Sequence, residues 1–157
     1  MAMTQKINVQ KAIKEAMQTE KDAMDFYKYG AEKMSDEKAK KTFELLAREE
    51  AQHAHSFYNI YKGGDIPSFD EFIQSPPDTE SSWWKALQKI MMGDFDERKA
   101  MELALDEEEA LEKHLREVAE QMTDPEVKAI YLANANSTHH HFEVIRDDYA
   151  DIFGLPA

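Results

Sequence analysis

The sequence predicts an all-α protein, a four-helix bundle made of two pseudo-twofold helix pairs joined by a long crossover. Three observations carry that prediction. The first is an internal repeat: residues 12–61 laid over 100–149 without a gap match Ala12 with Ala100, Ala16 with Ala104, Glu20 with Glu108, Glu32 with Glu120, Met34 with Met122, Asp36 with Asp124, Ala47 with Ala135, His53 with His141 and Tyr61 with Tyr149. The second is the placing of helix breakers. Most of the five Gly and five Pro gather at Gly63-Gly64, Pro67, Pro76-Pro77, Gly93, Pro125, Gly154 and Pro156, where a bundle would turn. The third is apolar periodicity of helical phase through the stretches between them.

Taken in order, helix 1 is expected from about Val9 to Met34, with Ile13, Ala16, Met17, Glu20, Ala23, Met24, Tyr27, Ala31 and Met34 along one face. Ser35 or Asp36 caps helix 2, which extends to about Tyr61 with Phe43, Leu46, Glu50, His53, Phe57 and Ile60 facing inward. Residues 62–95 have no repeat partner, hold both tryptophans and two proline turns, and include an amphipathic stretch from about Ser81 to Met92. A connection of that length lets the second and third bundle helices run parallel, which a tight turn could not allow. Helix 3 runs from about Asp96 to Met122, presenting Ala100, Met101, Ala104, Leu105, Glu108, Leu111, Leu115, Val118, Ala119 and Met122. Helix 4 opens at Asp124-Pro125, a cap followed by proline in the first helical position, and ends near Phe153 before Gly154.

At 157 residues and 42% apolar content the whole chain, 1–157, suits one domain able to bury a core unaided. The absence of Cys excludes disulfides, thiolate metal sites, iron–sulfur clusters and cysteine nucleophiles. The N-terminal stretch MAMTQKINVQKAIKEA has no apolar h-region, and no run approaches the ~20 apolar residues that span a bilayer, so a soluble, cytoplasmic protein is expected. A net charge of −13 disfavours nucleic acid and anionic membranes as partners and favours cations. Most of the 32 acids are read as coating solvated helix faces.

A few acids fall elsewhere. Glu50 and His53 form an E-x-x-H unit, and three residues advance a helix by about 300°, so both side chains leave on one face and can hold one metal ion. That spacing recurs by chance in acidic helices. What distinguishes this pair is its place inside the apolar stripe Phe43, Leu46, Phe57, Ile60, where an unpartnered charge would be costly. Glu20 is framed by Met17, Ala23 and Met24, and Glu108 by Leu105, Leu111 and Leu115. Three carboxylates and an imidazole facing one core call for a cation.

Helix 4 offers three consecutive histidines. The face of His141 carries Val127, Tyr131, Thr138, Ile145 and Tyr149, whereas that of His139 carries Leu132, Asn136 and Arg146. Phase therefore selects His141 and sends His139 and His140 to solvent or the rim. A gapped alignment of LANANSTH on LAREEAQH would instead bring Asn136 and His139 to the site. His55 and His114 read as surface or interface histidines.

With these residues in view the chain resembles the rubrerythrin branch of the ferritin-like proteins. The resemblance covers nearly all of it, through Glu20 followed by Phe26-Tyr27, LAREEAQH (Leu46–His53), Glu108 and His141. It implies a ferritin-like four-helix bundle holding two non-haem irons, with Glu20, Glu50, His53, Glu108 and His141 as ligands and one carboxylate bridging. It also implies an oxidoreductase that acts on peroxide or dioxygen in oxidative stress. Two departures stand out: Thr138 occupies the place of the Glu in the second E-x-x-H, and Leu115 is the counterpart of Tyr27. Where some members add a carboxylate one turn along helix 3, this chain has Leu111 at i+3, leaving Glu112 at i+4 as the substitute candidate. No Cys-rich rubredoxin module is present, so electrons must come from a separate donor protein.

Within that resemblance Tyr27 is counted with the catalytic residues, placed to hydrogen-bond a ligand carboxylate, although a core tyrosine with a satisfied hydroxyl suits it equally. The methionines at 17, 24, 34, 101 and 122 are core packing. The same ligands serve Fe, Zn and Mn, and two Fe ions are the expected cofactor. The alternatives are an iron-handling or single-metal protein with a degraded second site, and a metal-free helical interaction module. A homodimer is expected from family analogy and from Trp83 and Trp84 read as exposed.

Overall fold

The computed structural model describes residues 8–154; the first seven residues, part of the stretch read as lacking an h-region, and the last three, with Pro156, lie outside it. Among the described residues are six helices and no strand: α1 (Val9–Lys33), α2 (Glu37–Ile60), α3 (Phe69–Ile73), α4 (Ser82–Met91), α5 (Glu97–Gln121) and α6 (Pro125–Phe153). The long helices α1, α2, α5 and α6 form the expected bundle, with α1 packed on α2 and α5 on α6.

Each helix starts where a short polar side chain can accept from a free backbone N–H of its first turn. Asn8, Asp36, Ser68, Ser81, Asp96 and Asp124 do so, and Asp36 rather than Ser35 caps α2. α6 ends at Gly154 in the left-handed conformation (φ 68°), its N–H on the Ala150 carbonyl at 2.8 Å.

Polar contacts between helix ends set the direction of each. The backbone N–H groups of Ser35 and Asp36, at the start of α2, both donate to Glu97 Oε1 at 2.9 Å, at the start of α5. Those two helices are therefore parallel. Lys38 reaches Asp151, at the end of α6, at 2.5 Å, so α6 runs the other way. At the opposite end of the bundle the Lys62 N–H, just past α2, donates to Gln10 in the first turn of α1 at 2.7 Å, which makes α1 and α2 antiparallel.

The crossover between α2 and α5 departs from expectation in two respects. It contains α3, one short turn capped by Ser68, which was not anticipated. Its tryptophans are not an exposed face: Trp83 is 2% exposed, with its ring 5.3 Å from Phe26 and 5.6 Å from Tyr27, and Trp84 is half-buried against Tyr29. The surface argument for a homodimer falls with them. α4 lays Trp83, Ala86, Leu87 and Ile90 against the bundle because only one stripe of this amphipathic helix is apolar.

Three charged residues of α1 are buried under the crossover, an exception to the reading of acids as surface groups. Lys21 is fully enclosed, its ammonium 2.6 Å from Asp25 and 3.4 Å from the Pro76 carbonyl. Burial raises the pKa of Asp25, with Lys21 pulling the other way. Burial also raises Asp22, to about 7, against a hydrogen bond from Gln18. No helix among the described residues is long and apolar enough to cross a membrane.

Because Trp83 fills the space over Phe26 and Tyr27, Trp83→Ala should cost about 3–5 kcal/mol of stability by cavity formation. Denaturant unfolding measures it; a loss below about 1 kcal/mol would mean that the crossover is not part of the core.

Candidate metal centre

The apolar stripes of the four long helices converge at mid-bundle, and each carries an ionisable group inward with it. Glu20 on α1, Glu50 on α2, Glu108 on α5 and His141 on α6 are fully buried, and the His53 side chain is 11% exposed. Glu50 lies one turn from Leu46 and two from Phe57, so the packing that buries those residues leaves the acid no route to water.

Glu50 stands between the two imidazoles. His53 Nδ1 lies 2.8 Å from Glu50 Oε1 and 3.3 Å from Glu20 Oε1. His141 Nδ1 lies 3.6 Å from Glu108 Oε2 and 3.8 Å from Glu50 Oε1. The rings stack with centroids 5.1 Å apart and planes 7° from parallel. Their outer nitrogens are held as well, His53 Nε2 by Ser137 Oγ and His141 Nε2 by Glu49 Oε1, both at 2.8 Å. The Tyr27 hydroxyl donates to Glu108 Oε2 at 2.5 Å, and burial beside Glu108 and Glu50 raises its pKa so that it remains a donor.

The donor set fits a cation. Glu20 Oε2, both Glu50 oxygens, Glu108 Oε1 and His141 Nδ1 are buried without a hydrogen bond of good geometry, close as His53 comes to Glu50. A buried carboxylate without a partner is costly, and here three face one another with two imidazoles as their nearest possible counter-charges. One ligand atom from each of Glu50, His53 and His141 lies within 4.8 Å of the others, the spacing a shared ion requires.

Protons take the place of a cation when none is bound. Burial and the charges of Glu20 and Glu108 push Glu50 up to about 8, with His53 pulling it down. Burial opposes charge on His53, but its bonds to Glu20 and Glu50 outweigh that and lift it to about 11. His141 follows the same pattern: burial lowers it, the nearby carboxylates of Glu108 and Glu50 raise it more, and it reaches about 9.

The family model described as Rubrerythrin matches residues 11–147. The chain belongs to the rubrerythrin family. Searches of curated proteins and of solved structures give no match.

Of the residues selected from the sequence, the structure of this rubrerythrin-family chain brings Glu20, Glu50, His53, Glu108, His141 and Tyr27 together. It does not bring Glu112. That carboxylate is held by Arg116 at 2.8 Å and His139 at 2.9 Å; burial pushes its pKa up, but those two hydrogen bonds and the charges behind them outweigh it and lower the pKa. The gapped alignment fails with it, since Asn136 accepts from Arg116 and His139 and His140 are exposed. His55 and His114 are exposed too. Thr138 is fully buried, but its hydroxyl donates back to the Asn134 carbonyl at 2.8 Å and so is spent on its own helix. Sequence reasoning missed Glu49 and Ser137. Both were findable, because Ser137 is the residue 88 positions after Glu49 and each immediately precedes the inward position of its helix.

Glu50, His53 and His141 all bind protons more tightly folded than unfolded. Their stabilisation is present below the ordinary values of 4.5 and 6.5 and is lost as pH rises toward about 8, 9 and 11. Metal-free protein should therefore unfold at progressively lower temperature from pH 6 to pH 9 at constant ionic strength. A midpoint that rises over this range would show that the cluster is not proton-bridged.

Proposed function

We propose that this chain is a non-haem di-iron oxidoreductase that acts on peroxide or dioxygen with electrons from a separate donor protein. The observation that carries the reading is the set of inward donor atoms without partners, arranged as two acid–imidazole pairs on either side of Glu50. Glu20 with His53 would hold one ion, Glu108 with His141 the other, and Glu50 would bridge them. Bound iron would supply Lewis acidity and electrons. The residues of the chain do the rest: burial excludes bulk water, Glu50 fixes the separation of the pairs, and Tyr27 holds a proton at its hydroxyl oxygen against Glu108. These 157 residues hold no Cys for a thiolate-bound electron relay, which accords with electrons from a separate protein. We further propose a cytoplasmic location and, by family analogy, a homodimer.

A second reading is supported by Thr138. Where the second half of the repeat should supply another bridging acid, it supplies a hydroxyl turned back on its own helix. Two ferrous ions would then face three carboxylates, which favours an iron-handling or single-metal protein built around Glu50, His53 and His141.

Metal analysis of untagged protein purified without chelator, followed by peroxide consumption with a supplied reductant, separates the two. The di-iron oxidoreductase predicts about two ions per chain and turnover that disappears in Glu50→Ala. About one ion with no turnover supports the second reading, and no metal after anaerobic Fe(II) loading contradicts both.

A further inference from the structure

Offset by 88 residues, α2 carries the acids Glu49-Glu50 where α6 carries the hydroxyls Ser137-Thr138. The bundle uses the outer member of each pair crosswise. Glu49 of the first half holds the outer nitrogen of His141, in the second half, and Ser137 of the second half holds that of His53, in the first. The two acid–imidazole pairs thus have the same plan and different supports.

Those supports favour one side. In the Glu108–His141 pair both members are fixed from outside, Glu108 by the Tyr27 hydroxyl and His141 by a carboxylate. A carboxylate on the outer N–H holds an imidazole in one orientation, directs the lone pair of the other nitrogen inward and raises its donor strength. Here that inner nitrogen is His141 Nδ1, buried and without a hydrogen bond. In the Glu20–His53 pair the outer nitrogen of the histidine has only a neutral hydroxyl, and among the described residues Glu20 receives no hydrogen bond from outside the pair to match the one Tyr27 gives Glu108.

We propose that Glu49 is a positioning residue for His141, and that with the Tyr27–Glu108 bond it makes the Glu108–His141 half the tighter cation position, so that the halves load in order. The inference rests on the reading that this centre holds divalent metal. It reverses what the repeat alone suggests, since the half with the complete E-x-x-H would then fill second. Glu49 suits such a role because its side chain, 36% exposed, lies at the rim of the core and does not fill it.

The test is a Co(II) titration of the full-length, metal-free chain, followed by visible absorption and by calorimetry, for wild type, Glu49→Gln and Ser137→Ala. Wild type should show a tighter first step and a weaker second. Glu49→Gln should weaken the first step by about 10–100-fold and leave the second within about threefold, whereas Ser137→Ala should disturb only the second. In the one-equivalent Co(II) complex, a contact-shifted imidazole N–H signal should persist in His53→Ala and vanish in His141→Ala. Thermal unfolding of the metal-free variants confirms that each is folded. If Glu49→Gln leaves the first step unchanged or weakens both steps equally, or if the first-equivalent signal follows His53, the proposal is overturned. Absence of any Co(II) binding by folded wild type would overturn the metal-centre reading itself, an outcome distinct from those.

Discussion

Three carboxylates meet in the dry middle of this bundle, and the constraint they impose organises everything around them. A fully buried acid is tolerated only when something neutralises it. Among the described residues no Lys or Arg forms an ion pair with Glu20, Glu50 or Glu108; the positive charges beside them are the protonated forms of His53 and His141. The same chain shows the other solution a short distance along α1, where buried Asp25 is answered by buried Lys21. One acidic cluster is closed by a resident ammonium, and the other opens onto two imidazoles as a Glu/His group able to hold a metal ion.

The bundle geometry serves that opening. Because the crossover makes α2 and α5 parallel, Glu50 and Glu108 reach the centre from helices that run the same way, with α1 and α6 supplying Glu20 and His141. α4 closes the side on which Tyr27 lies, and the Trp83 ring seals it. The result is a centre whose dielectric is low and whose outer nitrogens are tied down, conditions under which small differences such as Glu49 against Ser137 acquire weight.

Much of this was legible because the informative signals were local or repeated. Capping acids and proline at Asp124-Pro125 mark helix starts through backbone hydrogen bonding within one turn, and the structure keeps them. The inward phase of His141 over its neighbours followed from the apolar residues sharing its face. The failures have physical reasons. Glu112 sits on nearly the right face, but Arg116 one turn on and His139 across the helix pair capture its carboxylate, a contact that spacing along one helix cannot reveal. Trp83 lies on the apolar stripe of α4, so the amphipathic pattern did give its inward direction; what a segment without a repeat partner could not give is the surface it meets, Phe26 and Tyr27 of α1. Lys21 contradicts the usual exposure of lysine and is explained only once Asp25 and the Pro76 carbonyl are seen beside it. The five-residue α3 is too short for periodicity to register.

The metal-centre reading is that the unpartnered donor atoms of Glu20, Glu50, Glu108 and His141, together with His53 beside them, exist to hold metal. Anomalous X-ray diffraction at the iron edge, from crystals of protein loaded anaerobically with Fe(II), tests it most directly. Anomalous density is expected among those five side chains, with Glu50 in contact with it. Well-ordered crystals that show no anomalous density there, with the three carboxylates still facing one another, would contradict it.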